Sequence, residues 1–175
     1  LIDQQLFHTY ATIFLILYVI FDQIRNRKKE RSLFKRFVFY SFIYYMIHVI
    51  KLTLFPIMFT PYTVSVQLVP FYFIIDSFNS GYLPRAYLEN LILLLPLGLY
   101  LPLLYQRLRN LKCTIFVAFF TSSSIEIIQL ITGLTIGSHR VFNVDDIMLN
   151  TSGAIVGYYI FNIVMVIFGK SASRV

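Results

Sequence analysis

Residues 142–159 read FNVDDIMLNTSGAIVGYY. They open an apolar run, 147–168, long enough to cross a hydrocarbon core about 30 Å thick. Yet the stretch begins with Asp145 and Asp146 and carries Asn150 a turn later. Asp146, Asn150, Gly153 and Gly157 are separated by four, three and four residues. At about 100° per residue they share one stripe of a helix. Gly153 and Gly157, in GAIVG, make the small-xxx-small pattern that lets a second helix approach closely. The stripe is expected to pack on a neighbour lower down and to turn Asp146 and Asn150 inward above.

The rest of the chain supports a membrane reading. Of 175 residues, 58% are hydrophobic and 13% charged, and the mean hydropathy is +0.72. A soluble domain averages about 45–50% apolar and about 25% charged residues. Four further apolar runs cover residues 6–21, 37–59, 88–105 and 114–131. The expected fold is therefore all-α: a polytopic membrane helical bundle of about five transmembrane helices, in one domain over residues 1–175. The first run lacks a basic start, and its basic residues follow it, unlike a signal peptide. The chain starts at Leu1, as expected if a segment precedes it or has been trimmed away.

Net charge is +7. The cations cluster at 25–36, 107–112 and 170–174, each beyond an apolar run. That is the bias of cytoplasmic loops, and it argues against nucleic acid as a partner. It predicts an external N-terminus and a cytoplasmic C-terminus, with 60–87 and 132–145 outside. The basic run RNRKKERSLFKR also suits an anionic membrane lipid surface. Within 60–87, VSVQLVPFYFIIDSF is apolar and aromatic around Pro70, and an interfacial or re-entrant segment is expected there. Cys113 is the single cysteine, so no internal disulfide forms.

Ionisable groups inside membrane helices are costly and normally face the protein interior. With this topology, Glu126 lies about 20 Å up its helix, and Gln129 is on the same face. Asp145, Asp146 and Asn150 fall in the first turns of the last span, and Glu89 and Asn90 at the mouth of the third. All lie toward the outer side, as do Lys51, with His48 a turn deeper. The adjoining aspartates also suit a helix N-terminus, where the dipole favours negative charge. Glu126, Asp145 and Asp146 suit a hard cation, or an acid–base pair if burial raised one pKa. His139 and Arg140 precede the aspartates, and Arg140 suits a carboxylate or an anionic ligand group. The pattern names no metal site and no cofactor. It contains no Ser/His/Asp order, Cys/His pair, HExxH or P-loop. Hydroxyls at 122–124 are expected to bond back to their helix or to a neighbour, and His48 to be a satisfied interior histidine. A polar pocket and a purely structural lock between helices both remain open on these residues alone.

The motifs ENLILLLPLGLYLPLL, SSSIEIIQLITG and RVFNVDDIMLNTSGAIVGYY, in that order, with KLTLFPI and VQLVPF before them, resemble the VanZ-like membrane proteins. The resemblance rests on Asn90, Pro96 and Gly98, then Glu126 and Gln129, then Arg140, Asp145, Asp146, Asn150 and Gly153. It runs from about Lys51 to Tyr159. It implies a bacterial cell-membrane protein, and the family's namesake lowers susceptibility to the glycopeptide teicoplanin. The expectation is an outward-facing pocket lined by Asn90, Glu126, Gln129, Arg140, Asp145, Asp146 and Asn150. It would take a lipid-linked or cell-wall-related ligand, or a lipoglycopeptide. The alternatives are an enzyme using Glu126 and Asp146 on a lipid-linked envelope substrate, or a structural partner of a membrane complex. Oligomeric state is left open.

Overall fold

The computed structural model describes residues 3–25, 33–57, 65–136 and 142–172. Among these residues the fold is all-α apart from one short strand pair. Its helices are α1 (Gln4–Arg25), α2 (Leu33–Leu54), α3 (Tyr72–Ser80), α4 (Arg85–Leu93), α5 (Leu95–Leu104), α6 (Leu111–Ile136) and α7 (Val144–Ala172). Among the described residues, five helical stretches are long and apolar enough to cross a membrane: α1, α2, α4 with α5, α6 and α7. Many of their large apolar side chains are exposed, Phe14, Phe37 and Phe116 among them, as expected of surfaces that meet lipid rather than water.

Proline shapes two of the spans. The second run was expected to reach residue 59, but α2 ends at Leu54, two residues before Pro56. A proline disfavours helical backbone in the residue before it. The third span is interrupted at Leu94, between α4 and α5. Pro96 has no N–H to donate, and its ring crowds the carbonyl four residues back.

The chain divides into two compact units. The first comprises Leu1–Val64 and Ile128–Arg140. Here α1 packs on α2 through rings, with Phe7 and Phe55 stacked at 4.3 Å and His8 edge-on to His48 at 4.7 Å. Gln4 Nε2 donates to the Phe55 carbonyl at 2.7 Å.

The second unit comprises Ser65–Ile127 and Val141–Val175. Its core includes Leu94, Leu97, Leu101, Ala118, Ala154 and Phe161. The α7 helix runs parallel to α4 and α5 in contact with their backbones. A Cβ added at Gly153 would overlap the Leu91 carbonyl oxygen, and one at Gly157 the Leu95 carbonyl oxygen. Leucine or even alanine at these positions would force the helices apart, which is why glycine stands there. At the far end of α5, Arg109 Nε donates to the Pro102 carbonyl at 3.2 Å and its guanidinium lies over the Phe161 ring. A cation thus meets a carbonyl in the last turn of α5, where helical N–H partners run out.

Strands β1 (Val66–Gln67) and β2 (Phe142–Asn143) pair in parallel, Val66 with Phe142 and Gln67 with Asn143. This pairing ties the early part of the 60–87 segment to the start of α7.

Candidate functional site

The site is built around the first turns of α7. Helix α3 is nine residues long, too short to cross a bilayer. Its N-cap, Phe71, holds the left-handed conformation at φ 65°, which costs a bulky residue about 1–3 kcal/mol. The compensation comes from Asp145. One carboxylate oxygen accepts the Phe71 N–H and the other the Phe73 N–H, each at 2.7 Å. Asp145 is fully buried, and an anion at a helix N-terminus meets both free N–H groups and the dipole. The far end of α3 closes on Gly81 at φ 74°, and Tyr87 of α4 donates to Asp76 of α3 at 2.9 Å.

So Asp145 caps a helix, but not its own. The N-terminus of α7 is capped by Asn143, whose side-chain oxygen accepts the Asp145 N–H at 2.9 Å. The Asn143 side-chain amide donates to Asp146 at 3.0 Å, and its backbone N–H donates to Glu126 Oε2 at 3.0 Å. Glu126 is buried in α6. Asn90 of α4 brings its side-chain amide to the Asp146 carboxylate. One turn further along α7, Asn150 Nδ2 donates to Ser122 of α6 at 2.9 Å.

Asn90, Glu126, Asp145, Asp146 and Asn150 therefore gather in the second unit, with Asn143 and Ser122 added. Asp146 remains half-buried, while Glu126 and Asn150 are almost wholly enclosed. Asn150 Oδ1 is buried and receives no donor. Turning the amide over exchanges which atom is left, not the deficit.

Gln129 goes elsewhere. It belongs to the first unit, where its amide donates to the Thr53 carbonyl at 2.7 Å. That carbonyl lies in the last turn of α2, where no helical N–H reaches it. His139 and Arg140 lie outside the described residues, as does the part of the 60–87 segment before Ser65. His48 Nδ1 contacts the Tyr44 carbonyl of its own helix at 3.1 Å. Ser124 bonds back to Phe120 at 2.7 Å, whereas Ser122 serves the neighbouring helix. Among the described residues, no group of three or more His, Cys, Asp or Glu is arranged to hold a metal ion.

Two members of the site escaped the sequence reading. Asn143 had a usable signal: an Asn three residues before Asp146 at a helix start is an N-cap pattern. Ser122 had none that separated it from its neighbours, since only the packing of α6 on α7 selects it over Ser123 and Ser124.

A family model described as VanZ/LLP1 matches residues 42–166, most of the chain. The chain belongs to the VanZ/LLP1 family. The match takes in all five gathered residues. With five long apolar helices, this VanZ/LLP1 member is a multi-pass membrane protein. No match came from the curated proteins or from the solved structures.

Proposed function

We propose that this VanZ/LLP1 member is a bacterial cell-membrane protein whose polar mouth at α7 faces outward. There it binds a lipid-linked or cell-wall-related ligand, or a lipoglycopeptide, and so lowers glycopeptide susceptibility. The placement of basic clusters at one end of the spans supports that orientation.

The observation that carries the reading is the buried, donorless oxygen of Asn150. An unsatisfied buried acceptor costs about 1–3 kcal/mol, a deficit that a ligand donor would remove. One turn above it, Asp146 offers a second acceptor on the same stripe. The unmet end of the Asn150 amide and the Asp146 carboxylate together suit a group that can both donate and accept, such as a saccharide hydroxyl. Asp145 is excluded from this task, because both its oxygens already hold α3. It sets the platform; half-buried Asp146 with Asn90 meets the ligand, and the enclosed Glu126 and Asn150 form the floor behind them.

The test is a pair of substitutions, Asp146→Asn and Glu126→Gln, each scored for teicoplanin susceptibility of cells and thermal stability of the purified protein in detergent. Phenotype should be lost while the unfolding midpoint stays put. A phenotype that survives both changes, or that falls only in step with stability, sinks the proposal.

A further inference from the structure

A second site, independent of the first, lies in the α1–α2 pair. A cleft of about 430 Å³ is lined by Gln23, Leu33, Arg36, Phe37 and Tyr40, at the basic end of both helices. Tyr40 donates to Asp22 Oδ2 at 2.6 Å. Arg36 Nη2 comes only to 3.6 Å from that same oxygen, too far for a hydrogen bond. Arg36 Nε and Nη2 are both buried and have no acceptor. Together these nitrogens form the edge of a guanidinium that takes two oxygens of one carboxylate or phosphate. Asp22 is the ion-pair partner of Arg36, but it accepts from Tyr40 and gives neither of these two nitrogens a hydrogen bond.

The neighbouring sequence adds to the positive charge. The first turn of α2 contains Lys35 and Arg36 and no acidic residue. Leu33 and Phe37, which line the cleft, are also highly exposed. The surroundings thus pair an oxyanion receptor with an apolar rim. We propose that this cleft binds the phosphate oxyanion of an anionic lipid headgroup, with Arg36 turning its open edge from Asp22 to the phosphate.

The chain, purified in zwitterionic detergent, would be titrated with short-chain phosphatidylglycerol, phosphatidylcholine or inorganic phosphate while the thermal midpoint is followed. Phosphatidylglycerol should give a saturable upward shift. Arg36→Gln should raise its half-saturating concentration about tenfold, the scale of one lost charge-assisted pair. Lys35→Gln removes the same charge outside the cleft lining and should change it less than twofold. Asp22→Asn removes the competing charge, keeps an acceptor for Tyr40, and should tighten binding several-fold, an effect no misfolded variant could produce. An Arg36-dependent response to inorganic phosphate alone would assign the same oxyanion site to the free ion. Equal losses in Arg36→Gln and Lys35→Gln, or no tightening in Asp22→Asn, would overturn the proposal.

Discussion

The α1–α2 pair and the α4–α5–α7 assembly are both made of apolar helices, but they are held by different physics. The first relies on side chains, rings meeting rings at Phe7–Phe55 and His8–His48 and Tyr40 donating to Asp22. The second relies on backbone. Glycines let α7 touch the carbonyls of Leu91 and Leu95, and carboxylates take backbone N–H groups far away in sequence, as Asp145 does with Phe71 and Phe73. Ring contacts are broad and adaptable. A carboxylate between two N–H groups admits one geometry, so the second arrangement suits a site that must present acceptors at fixed positions.

The difference can be pressed by substitution. The largest loss is expected at Asp145→Ala, which removes two charge-assisted bonds at a helix start, about 3–5 kcal/mol together. Asp145→Asn keeps one acceptor and should lose roughly half of that. Unfolding of the purified protein in mixed micelles would measure both. If Asp145→Ala costs no more than a surface change, α3 is not anchored as described.

Gly153→Ala should come next, at about 1–3 kcal/mol, because a methyl group there meets fixed backbone rather than a side chain that can turn away. In the first unit, Phe7→Leu tests the ring contact and should cost about 1 kcal/mol. A Phe7 effect larger than the Gly153 effect would reverse the contrast drawn between the two units. The smallest change is expected at Ser122→Ala. It removes one hydrogen bond between membrane helices, for which about 0.6 kcal/mol is a fair mean. A much larger loss at Ser122 would mean that Asn150 depends on that hydroxyl for its orientation, and so would sharpen the account of the site.

Much of the architecture was legible in the sequence because its causes are local. A run of about twenty apolar residues is read from composition alone. The glycine spacing of GAIVG announces a close helix contact, though not the partner, which proved to be α4 and α5. Pro56 shortened α2 and Pro96 divided the third span, effects that a length count on apolar residues does not register. The candidate site was partly legible. Helix phase groups Asn90, Glu126, Asp145, Asp146 and Asn150 on inward faces, and in the structure they lie within the same unit, with Asn143 bonded to both Glu126 and Asp146. Gln129 shows the limit of that logic: it shares a face with Glu126, yet its amide is used at the end of α2.

What the residues decided by themselves is the class of protein: five apolar spans, basic clusters that each follow an apolar run, and a stripe on the last span that is small at one end and polar at the other. Hydrophobic transfer and helical periodicity act on each segment alone, so a single sequence carries them in full. Only the tertiary structure decided the division of labour between Asp145 and Asp146. Two identical neighbours on one helix turn differ in role because one meets the N-terminus of α3, more than seventy residues away in the chain, and the other meets the amides of Asn90 and Asn143. A long-range hydrogen bond depends on where two segments meet in space, and neither segment encodes that by itself.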